Sequence, residues 1–199
     1  PAQTNIELGV TLMTNAARLT NKTKLAKQLG FKQPRTIARH ISAMQDAFLF
    51  RELRIFSPAL KKQQRSLPKF YPVDHALARA VRFSVVDDRS LALECMVASE
   101  LWRRGYELFY WRSSQEWEVD FIARKSGSGT IAVQVTLDLS NPAVFERESR
   151  ALQACAEELG ITELMVVTEM DRREIKLGRL RAIASPFYEW AVGNWQDSP

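Results

Sequence analysis

The sequence predicts an α+β fold, a mixed β-sheet flanked by helices, on three observations. Apolar residues recur at helical spacing from Leu91 to Arg104, period-two alternation follows between Tyr106 and Thr136, and a helix-turn-helix pattern precedes both. Charge divides the chain at the same place. Residues 1–90 hold 16 Lys plus Arg against 6 Asp plus Glu, a net +10, and residues 91–199 hold 12 against 17, a net −5, which together give the +5 of the whole. The expected organisation is a basic unit over 1–74, a linker over 75–90 and an acidic unit over 91–199.

In chain order, Leu8, Leu12, Ala16 and Leu19 mark the inward face of a first helix between residues 5 and 20. Thr20 or Asn21 can cap a second helix, Lys22 to Leu29, which Gly30 ends. Pro34 suits the first turn of a third helix, on which Ile37, Ile41, Met44 and Phe48 are spaced to face inward. Such a helix pair offers the N-terminal residues of its second member, here Arg35, Thr36, Arg39 and His40, to a DNA major groove. Two short strands, Phe50 to Phe56 and Lys69 to Val73, then flank Lys61, Lys62 and Arg65, which makes a winged-helix unit with a basic wing loop. Phosphate contacts from these seven residues would weaken steeply with salt. A solvated basic face, or a surface that docks on protein, accounts for the same residues without nucleic acid.

Ala76 to Phe83 reads as helical and Asp87-Asp88 as its break. Leu93, Met96, Val97 and Leu101 give the next helix its apolar stripe, and Gly105 ends it. Three strands follow. In the second, Val119, Phe121 and Ala123 alternate with Glu118, Asp120 and Ile122, so two carboxylates share a face; in the third, Gln134 and Thr136 lie opposite Ile131, Val133 and Val135. Polar side chains on otherwise apolar strands need a partner or a task, because burying them unpaired is unfavourable. Ser140-Asn141-Pro142 caps a helix that runs to Glu158 and stops at Gly160, Leu164 to Thr168 is a strand covered on both faces, and one or two strands with a closing helix at Pro186 to Val192 complete the chain. The five tryptophans, Trp102, Trp111, Trp117, Trp190 and Trp195, read as packing residues rather than a platform for bases.

The motifs Leu93-Glu94, Ser99 to Gly105, Tyr110-Trp111-Arg112, Glu118 to Phe121 and Gln134-Val135-Thr136 resemble the C-terminal region of a large prokaryotic group of AAA-type ATPases, and the resemblance extends to the Pro68 to Asp74 stretch. That region is similar to the restriction-endonuclease-like PD-(D/E)xK fold. The resemblance implies degenerate nuclease positions at Glu94, Asp120, Gln134 and Thr136, with a Mg²⁺ site at Asp120 helped by Glu94. Two positions have changed: Gln134 is neutral, and Thr136 lacks the ammonium that would steady a developing phosphorane charge. Glu118 could replace a ligand, and Lys125 or Arg147 could reach in. Some members of the resembled family carry a similar Gln-Val-x ending followed by an Arg-Glu pair like Arg147-Glu148.

The implied function is a DNA-binding, nuclease-like accessory region of a prokaryotic ATPase, weakly active or inactive. The alternatives are a protein-interaction module and an active Mg²⁺-dependent endonuclease. No GxxxxGK[ST] occurs, so ATP is expected only through an upstream ATPase domain of the same polypeptide, and a start at Pro1 suggests a piece of a longer chain. Cys95 and Cys155 show neither zinc nor disulfide spacing, which fits a reducing cytoplasm, and no apolar run approaches the ~20 residues of a membrane span.

Overall fold

The computed structural model describes residues 2–81 and 89–193. Within them the expected α+β architecture holds, with one mixed eight-stranded sheet and helices against it. Helices α1 (Ala2–Thr14), α2 (Lys22–Gln28) and α3 (Pro34–Asp46) precede β1 (Phe50–Ile55), α4 (Leu60–Arg65), β2 (Lys69–Pro72) and α5 (His75–Val81). The second half runs α6 (Arg89–Arg103), β3 (Glu107–Arg112), β4 (Glu118–Lys125), β5 (Gly129–Val135), α7 (Pro142–Leu159), β6 (Glu163–Thr168), β7 (Arg173–Leu177), β8 (Leu180–Pro186) and α8 (Phe187–Val192).

The strand order is β2-β1-β3-β4-β5-β6-β8-β7. β1 lies parallel to β3 through Arg54 opposite Phe109 and Ile55 opposite Tyr110, so the strands of the basic half continue the sheet of the acidic half. The outer edge of β2 is covered by the chain after α1, where the Ala17 N–H donates to Phe70 O at 2.9 Å and the Thr20 N–H to Pro68 O at 2.8 Å. Covering an edge removes a template for unwanted strand pairing. Three apolar clusters result. Leu8, Leu12, Ile37, Ile41, Phe50 and Phe70 join the N-terminal helices to one face of β1 and β2. Leu53, Ile55 and Tyr71 instead enter the cluster that α6 makes with β3, β4 and β5, and α7 closes the opposite face on Trp111, Ile122, Ala132 and Val166.

Local chemistry explains several helix ends. Asn21 caps α2 by accepting from the Lys24 N–H, Asn141 caps α7 by accepting from Ala143, and Pro142 occupies the first turn of α7. Gly160 terminates α7 in the left-handed conformation, φ 68°, which glycine adopts without a Cβ clash. Among the described residues no helix is long and apolar enough to cross a membrane.

Three expectations need correction. Phe48 does not face inward: α3 stops at Asp46, and Phe48 adopts φ 57° in the reversal into β1, leaving it 70% exposed. Lys61, Lys62 and Arg65 lie on a helix, α4, not on a wing loop. Leu-Lys-Lys-Gln-Gln-Arg is a run of strong helix formers, and Ser57 anchors its start by accepting from the Ala59 N–H while its carbonyl accepts from Gln63 Nε2 at 2.7 Å. The strict alternation of β4 also fails at Asp120. Phe109 opposes Ile122 but Trp111 opposes Val119, so β4 carries one residue more than β3 across this interval. That bulge puts Val119 and Ile122 in one apolar cluster and Phe121 and Ala123 in the other. Asp87-Asp88 and Trp195 lie outside the described residues.

Candidate functional site

The bulge in β4 sits where β4 and β5 part. Ladder pairing holds from Lys125 opposite Gly129 to Phe121 opposite Val133 and then gives way to side chains. Asp120 Oδ2 accepts from the Val135 N–H at 2.9 Å, replacing a strand partner, and Gln134 Oε1 faces the Asp120 N–H at 3.4 Å. A cleft of about 350 Å³ opens there, lined among others by Glu94, Trp117, Glu118, Asp120, Gln134, Arg147 and Glu148. Glu94, Asp120 and Gln134, expected to converge, therefore border one space.

Each acidic group in this cleft is tied to a specific donor. Glu94 comes from α6 and accepts from the Tyr71 hydroxyl of β2 at 2.6 Å. Glu118 Oε1 pairs with Lys69 Nζ, also from β2, at 2.5 Å. Glu148, on the inward face of α7, takes Gln134 Nε2 on Oε2 at 2.6 Å, while its Oε1 accepts from the Arg147 guanidinium, Nε at 3.0 Å. Gln134 and Glu148 are both buried, so this amide–carboxylate bond satisfies two groups that would be unfavourable alone.

The electrostatics follow from that crowding. Burial, then the charge of Glu94, pushes the Asp120 carboxyl well above its ordinary range, with Lys69 and the Val135 N–H opposing the shift. Lys69 is only 3% exposed. Burial alone would lower its pKa, but the charges of Glu94, Asp120 and Glu118 outweigh that and hold the ammonium above its ordinary value. Burial together with Glu94 keeps the Tyr71 phenol neutral, far above its usual range, so it serves as a donor.

Other predicted residues fall elsewhere. Thr136 is buried and does not border the cleft; its hydroxyl points to Asp138 O at 3.4 Å. Lys125 turns away over the Tyr106 ring, whereas Arg147 does reach the cleft. Arg35 and Arg39 are exposed on α3 and Thr36 is half-buried beside them, but His40 packs its ring on Phe31 with centroids 5.6 Å apart. Lys61, Lys62 and Arg65 are exposed on α4. Trp111 and Trp190 are buried in the core, Trp102 packs edge-on against Tyr71, and Trp117 borders the cleft.

Sequence reasoning missed Lys69 and Tyr71 as members of this site, and Glu148 as the partner of Gln134. The available signal for Lys69 was its place in Lys-Phe-Tyr-Pro, a strand whose four residues are all buried, because a lysine there requires a carboxylate partner.

Residues 90–188 match the model of a domain of unknown function, DUF4143, and residues 7–88 match that of a second, DUF8612. An uncharacterized protein of Haemophilus influenzae is 28% identical over 132 residues, which is 64% of this chain and 32% of that protein. The chain thus spans about a third of that relative's length. Among solved structures, a chain of the Thermococcus gammatolerans assembly of McrB AAA+ hexamers with bound McrC overlaps 89% of this chain and 46% of its own length, at 9% identity and a TM-score of 0.37, too distant to define a common fold. The acidic half of the molecule, with its cleft, thus matches the DUF4143 model, and the segment that matches DUF8612 supplies Lys69 and Tyr71.

Proposed function

We propose that this chain is a nucleic-acid-binding, nuclease-like accessory region of a prokaryotic AAA-type ATPase, with a second half that cuts weakly or not at all. The observation that carries the reading is the convergence of Glu94, Asp120 and Gln134 on one cleft at the parting of β4 and β5. These residues stand on a helix, a second strand and a third strand in the order α6-β3-β4-β5-α7-β6, the order expected of a restriction-endonuclease-like core. The resemblance of these motifs to the C-terminal region of AAA-type ATPases supports the accessory role; ATP would act through that partner, an upstream part of the same polypeptide.

The exposed Arg35 and Arg39 of α3, with Lys61, Lys62 and Arg65 of α4, support the nucleic-acid contact, since they are cations without a buried role. Weak or absent cutting is supported by Thr136, which offers no ammonium and does not border the cleft.

A mobility-shift assay on duplex DNA tests the reading. Wild type retards the duplex at low salt, Arg35→Ala with Arg39→Ala weakens retardation at least tenfold, and the duplex stays intact. Retardation unaffected by the double change would move the contact off α3. Metal-dependent cutting lost in Asp120→Ala would instead establish an active endonuclease, and no retardation at any salt would favour a protein-docking module.

A further inference from the structure

The resemblance that implies a nuclease-like cleft also implies a divalent ion at Asp120 and Glu94, and the cleft can be compared with what such an ion needs. Mg²⁺ takes hard oxygens in near-octahedral array and relies on carboxylates aimed at one point. Here every carboxylate of the cleft already accepts from the chain: Glu94 from Tyr71, Glu116 from Arg112, Asp120 from the Val135 N–H, Glu118 from Lys69, and Glu148 from both Gln134 and Arg147. Among the described residues no group of three or more His, Cys, Asp or Glu side chains is arranged to hold a metal ion. These residues do not fit the ion.

We propose that Lys69 takes the ion's place: a cation on β2, in the segment that matches DUF8612, offsets charge in the acidic cleft of the half that matches DUF4143 and renders it metal-independent. The geometry is that of a plug from a neighbouring unit. Lys69 is 3% exposed, contacts Glu118 at 2.5 Å and has the Tyr110 ring 5.6 Å from its Nζ, so its hydration is replaced by fixed protein groups. Two residues along, Tyr71 brings its hydroxyl to Glu94. Alternate residues of one strand thus engage two carboxylates on different elements. A side-chain ammonium carries half the charge of Mg²⁺ and cannot be chelated away, so it offsets part of the charge of the cleft without accepting a phosphate oxygen as a Lewis acid does. The same pair fastens the basic half of the chain to the acidic half at the site itself.

The proposal rests on the nuclease-like reading of the cleft, but its test does not use DNA. Mn²⁺ binding is followed by loss of the free-ion electron paramagnetic resonance signal and by thermal shift against EDTA. Wild type leaves the Mn²⁺ signal undiminished and melts at the same temperature with Mn²⁺ or EDTA. Lys69→Met, which uncovers the carboxylates, gains Mn²⁺ affinity by roughly tenfold or more, the scale of one unit charge in a partly buried site. Lys69→Gln uncovers the same charge while its amide can still donate to Glu118, and carries the same test if the methionine variant does not fold. Mn²⁺ bound by wild type, or no gain in either variant, overturns the proposal.

Discussion

Lys69 and Asp120, at one cleft, set pH dependences of the same sign in well-separated pH ranges. The folded pKa of Asp120 is raised by burial and by Glu94. The folded chain therefore holds a proton that the unfolded chain has released, so the associated stability is full below the unfolded carboxylate pKa and falls as pH rises through the folded value. Asn at this position keeps an acceptor for the Val135 N–H and carries no charge. Asp120→Asn is expected to raise the melting temperature near pH 8 by roughly 2–4 °C, the shift that about 1 kcal/mol produces in a domain of this size, and to change it little near pH 4. Calorimetry at the two values checks this. The Lys69 pKa is also raised, so its contribution is complete below the unfolded lysine pKa and is lost only as strong alkali passes the folded value. Lys69→Met at pH 7 strands Glu118 and is expected to lower unfolding free energy by about 3 kcal/mol, read from urea denaturation. A gain in stability from that change would show the pair to be dispensable.

At the scale of elements, much was legible because local chemistry decides it. Asn141, Pro142 and Gly160 announce both ends of α7, and Pro34 announces the start of α3. Asp120 and Gln134 were readable as polar breaks in apolar strands, whereas Glu94 was reached only through the resemblance. What the pattern could not contain is the bulge at Asp120, since an extra residue in β4 is defined only against β3. The role of Lys69 was hidden for the same reason: it depends on β1 pairing with β3, a contact between residues more than fifty positions apart. The wing expectation failed because helix propensity in Leu60 to Arg65 overcame a turn reading based on charge. Helix α7 matters to the cleft because it delivers Arg147 and Glu148 to it. Asn141→Ala removes the acceptor for the Ala143 N–H and is expected to lower stability by about 1 kcal/mol, with Asn141→Asp restoring most of it, as the urea midpoint reports.

For the whole molecule, the two matched segments share more than a tether. The sheet is continuous from β2 to β7, and Leu53, Ile55 and Tyr71 of the first segment sit in the apolar cluster of α6. A chain restricted to residues 90–193 would leave the β3 edge open and that cluster incomplete. It is expected to associate or aggregate on size-exclusion chromatography, because an uncovered apolar edge recruits other strands. A well-folded monomer of that fragment would show the second half to be self-sufficient.

The proposed nucleic-acid role stands or falls on the salt dependence of duplex binding. Fluorescence anisotropy at a series of KCl concentrations gives the slope of log Kobs against log salt, to which each phosphate contact contributes about 0.9. Wild type is expected to give a steep slope, and Arg35→Ala with Arg39→Ala a slope shallower by about 2. An affinity indifferent to salt, or none at the lowest salt, would contradict it.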